Sequence, residues 1–587
     1  MRILGFYDDH NASAAIIEDG RILAALEEER LSRIKLHDGN TEDGPAHRSI
    51  AECLKLTKSD RSNIDRIAVA IAPPKDLLKY VLRDLFNQQK NPKWILASLI
   101  TRHPTWDPYF LFYPYFYNKN RLQRIKKLLR QFDLHDVQLD LVDHHTAHAA
   151  SAYYTGGDVE AKIFTLDGQG DGDSGSIFIG SKGQLELIKR VPSYHSVGLF
   201  YNFITWYLGF KPNRHEGKIT GLAAYGDPQK TEKFYHELFS IDATDFSYDL
   251  AKKVFQHAYP HRTNYPRMVE VISDRVNGYS KEDIAAGIQN ISERMVTSFV
   301  QAALRDLKGK GSNHVKAAGG VFANVRINQK VAETPGVDSL FIFPAMGDCG
   351  LSCGAALHSY YKDLKFGVDF REIPRLDHVY LGPDYSAQEI ETDLKKSGLR
   401  YEYHDDIESK IADLLAAGEV VARFNGRMEF GPRALGNRSI LYQTTDATVN
   451  DWLNVRLNRT EFMPFAPVST IEDCDYYYKN VGPNFFPAKF MTITFDCTEE
   501  MKQMCPAVVH VDGTARPQLV EKHDNPSYYR ILEEYRKRTG LRALINTSFN
   551  MHEEPIVCSP YDAIRAFKLG HLGYLALNKF LVYTPES

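Results

Sequence analysis

Apolar residues gather in short runs at the start of the chain. Arg2–Tyr7 and Ala12–Glu18 are mostly apolar, and Asp19-Gly20 separates the second run from Arg21–Ala25. Asp-Gly between two β-compatible runs predicts a hairpin. Leu26–Ile34 reads as a helix. Between 139 and 180 the texture is α/β: a strand at Leu139–Val142, a helix at His144–Tyr154, a strand at Ala161–Leu166, then a Gly/Asp loop. Ile284, Ile288, Ile291, Met295 and Phe299 fall at helical spacing and predict a long helix over 283–308. Val315–Ala318 reads as a strand closing on Gly319-Gly320. A polar connection with Phe366-Gly367, Pro374 and Gly382-Pro383 spans 364–385. Beyond it, helices near 387–396 and 406–417 and a strand at Val420–Phe424 open a second α/β stretch. The expected fold class is α/β, with domains at 1–368 and 369–587. The almost wholly aromatic run at 109–117 reads as a core or domain-contact insertion, with a wall of an acceptor pocket as the sharper alternative.

Composition narrows the classes. The chain has 587 residues, 71 Lys plus Arg, 75 Asp plus Glu and a formal net charge of -4. That length favours several domains with ample core. The near-neutral charge argues against bulk electrostatic binding of nucleic acid. Seven cysteines with one close pair, Cys349 and Cys353, make neither a disulfide scaffold nor a four-ligand zinc site. The first residues lack a signal-peptide core, and no apolar run is long enough to span a bilayer. A cytoplasmic protein without a membrane partner is the expectation.

Several motifs carry chemistry. In Asp143-His144-His145-Thr146-Ala147-His148, His144 and His148 are four apart, so a helix turns both imidazoles to one side. Two histidines with a carboxylate from elsewhere suit iron, manganese or zinc. Asp348, between Gly347 and Gly350, is a candidate third ligand; an acidic turn is the plainer reading. Asp167, at a strand end, precedes the alternating Gly168, Gly170 and Gly172, where backbone N–H groups can approach phosphate. Asp8-Asp9-His10 also follows a strand. Two acidic strand ends leading into hairpins are what a duplicated actin-like ATPase core would show. Ala318-Gly319-Gly320 through Asn324 reads as strand, double glycine and helix start, a place for a nucleotide. From 425 to 439, Arg427, Arg433 and Arg438 stand among glycines after a strand, a density suited to a polyanion. Arg456, Arg459, Arg516 and Asn546-Thr547-Ser548-Phe549-Asn550 add polar strand ends. No P-loop motif is present.

Together these motifs resemble the O-carbamoyltransferases of antibiotic and nodulation-factor biosynthesis, the NodU/CmcH type. The resemblance runs nearly end to end and rests on His144-His145-x-x-His148, Glu216 to Gly226, Arg427 to Ser439, Pro464-Phe465-Ala466-Pro467 and Asn546 to Asn550. It implies an N-terminal actin/hexokinase-like, TsaD-like transfer domain and a C-terminal YrdC-like domain. The latter would form carbamoyl adenylate from carbamoyl phosphate and ATP, with Mg2+ accompanying the ATP. The transfer domain would pass the carbamoyl group to a hydroxyl of a small-molecule acceptor. By position, His144, His148 and Asp348 match metal ligands, for iron or manganese. Gly319, Gly320, Asn324, Glu216 and Lys218 match nucleotide contacts, and Asp8 and His10 match positions near the transfer site. Asp167 joins the catalytic candidates. Gly168, Gly170, Arg427, Arg433, Arg438, Arg459, Arg516, Asn546, Ser548 and Asn550 are the remaining expected contacts to cofactor or co-substrate. One block departs from the family pattern: Leu457, Thr460 and Met463 replace a Lys, a Glu and an Arg around Arg459. That removes two phosphate contacts and keeps a different acyl donor open. An actin-like nucleotide switch and a threonylcarbamoyl-type acyl transferase are the competing readings. A homodimer is compatible with the sequence.

Overall fold

A computed structural model describes residues 1–37, 44–74, 76–77, 108–242, 247–250, 265–364, 372–457 and 463–584. Strands β1 (Arg2–Tyr7), β2 (Ser13–Glu18), β3 (Arg21–Glu27), β4 (Arg66–Ala70) and β5 (Gln138–Val142) form a sheet of order β3-β2-β1-β4-β5. Asp19 and Gly20, at φ 48° and 79°, make the two-residue turn between β2 and β3. β1, β4 and β5 run parallel. Strands β6 (Glu160–Gly170), β7 (Asp173–Ser181), β8 (Gln184–Pro192), β9 (His314–Ala318) and β10 (Ser339–Ile342) form a second sheet, ordered β8-β7-β6-β9-β10. Here β6, β7 and β8 are antiparallel neighbours, while β6, β9 and β10 run parallel. Hairpin pairs followed by two parallel strands thus occur twice in the same order. This is the duplicated actin/hexokinase arrangement that the two acidic strand ends imply.

Helix α1 (Pro108–Gln131) lies between β4 and β5 and carries the aromatic run; side chains at 108–114 lie outside the described residues. Helix α2 (His144–Tyr153) follows β5 directly and packs on helix α4 (Leu351–Tyr361) and on β6 and β9. Helix α3 (Lys281–Asp306) buries Ile284, Ile288, Ile291, Met295 and Phe299, and the Ser280 side chain caps it by accepting from Asp283 N–H. One local expectation changes. The Gly/Asp loop after Leu166 is strand to Gly170, with a register shift between those two residues. The shift breaks the ladder at Asp167, and a bulge of this kind re-aims a side chain.

The C-terminal part is a mixed eight-stranded sheet. Its strands are β11 (Arg400–Tyr403), β12 (Val421–Phe424), β13 (Arg438–Gln443), β14 (Ala466–Thr470), β15 (Gln518–Val520), β16 (Ala543–Ser548), β17 (Tyr574–Leu577) and β18 (Phe580–Tyr583). Their order is β11-β18-β17-β12-β13-β16-β14-β15. Val421, Leu441, Val468 and Leu544 form its core with Leu415 from helix α5 (Ile407–Ala416) and with Tyr528 and Ile531 from helix α6 (Pro526–Thr539). β13 runs antiparallel to both β12 and β16, with Arg438 opposite Phe424 and Ser439 opposite Ser548. The connection 425–437 and the chain after Ser548 therefore leave the sheet at one end.

By contacts the chain forms two compact units. The first is Met1–Asp8, Ile17–Arg21 and Asp60–Arg375; the second is Asp9–Ile16, Ile22–Ser59 and Leu376–Ser587. All seven cysteines are free. Among the described residues, no helix is long and apolar enough to cross a membrane.

Candidate metal centre and arginine-rich loop

The first unit builds a cluster from residues far apart in sequence. The Asp143 side chain accepts from Thr146 N–H at 3.0 Å, a cap that starts α2 at His144. One turn separates His144 from His148, so both rings leave the same helix face. His148 Nε2 lies 3.1 Å from Asp167 Oδ2 and 3.6 Å from Asp348 Oδ1. His144 Nε2 lies 3.4 Å and 3.7 Å from the same two oxygens. One ligand atom from each of the four residues falls within 4.8 Å of the others. Both rings are buried, and the carboxylates are mostly buried. Two imidazole nitrogens and two carboxylate oxygens suit a first-row divalent ion. Asp167, expected as a catalytic group, stands among the prospective ligands.

Groups within the cluster shift one another's protonation. Burial opposes a charge on His144, but its hydrogen bond to Asp167 and the charges of Asp348, Asp167 and Asp171 outweigh that and raise its pKa to about 9. Burial would raise Asp167, yet the two histidines hold it well below the usual carboxylate range. Burial and then the neighbouring His144 push His145 down to about 3, so that ring stays neutral. His145 Nδ1 pairs with Thr165 Oγ1 at 2.9 Å, a structural role. Proton and cation compete for the same histidine nitrogens.

A second layer orients these groups. Asp171, at φ 52°, accepts from His144 N–H at 3.0 Å, Ala72 N–H at 2.8 Å and Asn118 Nδ2 at 2.7 Å. It thereby ties the first residue of α2 to the end of β4 and to α1. A Cβ on Gly170 would sit 2.2 Å from the His144 ring, so glycine is required there for the ring to lie in place. Tyr7 Oη donates to Asp348 Oδ2 at 3.4 Å. Arg121, from α1, donates to Asp8 Oδ1 through Nη2 at 2.5 Å, and its guanidinium lies 5.2 Å from the Tyr7 ring centre. Asp171, Asn118 and Arg121 were not foreseen. Only Asp171, between Gly170 and Gly172, gave any signal, and its role depends on which amides surround it.

The arginine block of the second unit divides. Arg438 is wholly buried, its guanidinium 3.6 Å from the centre of the Phe424 ring. It donates to the carbonyls of Asn425, Asn437, Pro383 and Gly426 at 3.0–3.3 Å. Arg427 donates to the carbonyls of Gly382, Leu23 and Leu381. These two guanidinium groups, expected on phosphate, hold backbone instead. Arg433 and Arg516 are half-buried. Arg459 lies outside the described residues.

Comparison with known proteins gives the family. A family model described as carbamoyltransferase N-terminus matches residues 2–357, and one described as carbamoyltransferase C-terminus matches 412–584. The chain belongs to the carbamoyltransferase family. The nodulation protein NolNO of Sinorhizobium fredii is 32% identical over 98% of this chain and 79% of its own length. The 3'-hydroxymethylcephem-O-carbamoyltransferase of Streptomyces clavuligerus is 27% identical over 67% of this chain and 71% of its own. Among solved structures, component A of the (R)-2-hydroxyglutaryl-CoA dehydratase of Acidaminococcus fermentans aligns over 62% of this chain and 98% of its own, at 16% identity and a TM-score of 0.34.

The remaining candidate residues of this carbamoyltransferase have the following surroundings. Gly319 has φ 106°, and a Cβ there would meet Leu166 O at 2.2 Å; one on Gly320 would meet Asp167 Oδ1 at 2.9 Å. Both glycines thus allow the backbone to lie against the bulged strand beside Asp167. Gly168 N–H donates to Asp167 Oδ1 at 2.6 Å. Asn324 caps a short helix by accepting from Arg326 and Ile327 N–H, and its Nδ2 donates to Gln289 and Thr220. Its amide serves protein partners on both sides. Glu216 opens a short helix and accepts from Asn213 N–H at 2.6 Å, and Lys218 is buried in that helix. Asp8 is 1% exposed, and its Oδ2 meets no partner among the described residues. His10 belongs to the second unit, where it is partly exposed. Asn546 Nδ2 donates to Ala434 O at 3.1 Å and Gln518 Oε1 at 2.6 Å. Asn550 Nδ2 donates to the carbonyls of Met551 and Glu554. Ser548 ends β16, half-buried.

Proposed function

We propose that the protein is an ATP-dependent O-carbamoyltransferase. It activates the carbamoyl group of carbamoyl phosphate as carbamoyl adenylate and transfers it to a hydroxyl of a small-molecule acceptor. The observation that carries this reading is the convergence of His144, His148, Asp167 and Asp348 in a chain of this family. The hydroxyl acceptor is supported by a relative named for O-carbamoylation of a hydroxymethylcephem.

Each step has residues suited to it. Carbamoyl phosphate is a poor partner for an unactivated alcohol, and an adenylate offers AMP as leaving group. In the second unit, Arg433 and Arg516 grip phosphate oxygens during activation, and the resemblance assigns Arg459 to the same task. In the first unit, His144, His148, Asp167 and Asp348 would hold iron or manganese, which when bound polarises the carbamoyl carbonyl. The backbone around Gly168, Gly170, Gly319 and Gly320 admits the adenylate phosphate. Asp8 takes the proton of the attacking hydroxyl: Arg121 occupies Oδ1 and leaves the buried Oδ2 for that hydrogen bond. His10 is the second proton acceptor to test.

The test is incubation with ATP, Mg2+, carbamoyl phosphate and a panel of alcohols, following AMP release and the mass of the product. AMP release that depends on both carbamoyl phosphate and an alcohol is the expected result. No AMP release with any acyl donor would instead favour a nucleotide switch on the same fold.

A further inference from the structure

The connection 425–437 holds more buried polar chemistry than a surface loop needs. Glu429 is 1% exposed. Its Oε1 accepts from three backbone N–H groups: Leu435 at 2.8 Å, Asn437 at 2.7 Å and Arg438 at 3.1 Å. Gly431 N–H donates to Glu27 Oε1 at 2.8 Å, and Gly431 O accepts from Arg30 Nη2 at 2.7 Å. Ala434 O accepts from Asn546 Nδ2, and Leu435 O accepts from Tyr380 Oη at 2.8 Å and Gln518 Nε2 at 2.9 Å. Gly436 N–H donates to Ser439 Oγ, and Gly436 O accepts from the buried Arg423. Gly431 and Gly436 have φ 113° and 109°, and a Cβ on Gly436 would meet the Tyr528 ring at 2.3 Å. The segment Pro432-Arg433-Ala434-Leu435 is thus pinned on both sides by side chains from β15, β16 and the residues before β12.

The loop buries the apolar Met428, Phe430, Ala434 and Leu435, as a loop fixed for stability does. It also buries charged and amide groups that hold main chain, and Glu429 Oε2, Arg438 Nε and Asn546 Oδ1 meet no partner among the described residues, a cost that stability alone does not explain. Such an arrangement suits a site in which one group must keep its place to a fraction of an ångström. The residue at the centre of the pinned segment is Arg433, half-buried.

We infer that Glu429 is the positioning residue of the Arg433 loop, fixing the geometry in which Arg433 meets a phosphate oxygen, and that Asn546 acts through the Ala434 carbonyl toward the same end. This rests on the reading that Arg433 binds the phosphate of carbamoyl phosphate. In the block 427–438, Arg433 reads the ligand, while Arg427 and Arg438 hold the loop.

The full chain is titrated calorimetrically with carbamoyl phosphate, and backbone amide exchange is followed over 431–438. Arg433→Ala should weaken binding about 30-fold or more with amide exchange unchanged. Glu429→Gln keeps an acceptor oxygen near the Oε1 position. It should speed exchange of the amides of 435, 437 and 438 at least about threefold and weaken binding only about two- to fivefold. Glu429→Ala should weaken binding about tenfold or more, and Arg433→Ala/Glu429→Ala should be no weaker than Arg433→Ala alone. Additive losses overturn the inference, because Glu429 then does not act through Arg433. Unchanged exchange in Glu429→Gln overturns it too, and that variant keeps the test open if Glu429→Ala does not fold. If Arg433→Ala binds carbamoyl phosphate like the wild type, the phosphate reading fails and takes the inference with it. If Arg433→Ala loses binding while Glu429→Ala keeps it, the inference alone fails.

Discussion

The two units treat concentrated charge in opposite ways. In the first, His144, His148, Asp167 and Asp348 come from three separated parts of the chain and converge within 4.8 Å. In the second, Arg427, Arg433 and Arg438 are neighbours in sequence, and the structure buries them to different degrees. Arg438 is sealed beneath the loop on four carbonyls, Arg427 is committed to three, and Arg433 stands between the pins. Density of charge along the chain is therefore a poor measure of a site. What matters is whether the donors end on a ligand position or on the protein's own carbonyls.

The largest expected effect comes from the converging cluster. His148→Ala removes one of two nitrogen donors and should lower transfer about 1,000-fold or more, with loss of bound divalent metal by elemental analysis. Full activity in that variant would break the comparison at its first term. Chelation followed by manganese or iron should restore the wild type and not the variant.

Next come two arginine variants that differ in kind. Arg438→Leu orphans four carbonyls and removes one of two buried guanidinium charges that act on Glu429, so it should cost about 3–5 kcal/mol in denaturant unfolding. Arg433→Leu should cost about 1 kcal/mol or less while abolishing carbamoyl-phosphate-dependent activity. Equal stability losses would mean that the block does not divide as described. A smaller effect is expected for Gly170→Ala. The added Cβ pushes on the His144 ring, and metal affinity measured by titration should fall about 10- to 100-fold with the fold intact.

The smallest effect belongs to a half-buried histidine of the first unit that is no part of the cluster. Burial first, and then the charge of Lys362, lower the pKa of His358 on α4 to about 4. Its folded value lies below the unfolded one, so its contribution to stability is complete above about pH 6.5 and is lost as pH falls toward 4. His358→Gln should flatten unfolding stability over that window by about 1–2 kcal/mol. An unchanged slope would shift the acid sensitivity to other groups.

Much of this was readable from residue order. Strand β1 and the Asp19-Gly20 turn fall where apolar runs and turn chemistry put them, and α3 lies within two residues of its expected ends. The pairing of His144 with His148 follows from helical spacing alone, since four residues make one turn. The strand continuing to Gly170 was not readable, because its bulge depends on pairing with β7. Asp171 was a glycine-flanked acid whose role came from three amides on other elements.

The sequence by itself therefore determined the periodic elements, the two-histidine face and the positions that only glycine can fill. It did so because backbone sterics and side-chain periodicity act over a few residues. Tertiary structure alone decided that Asp167 and Asp348 share one point with that face, that Arg121 meets Asp8, and that Arg438 is wholly buried while Arg433 is half-buried. Those outcomes depend on which buried carbonyls and carboxylates need partners, a requirement that arises only when distant strands come together.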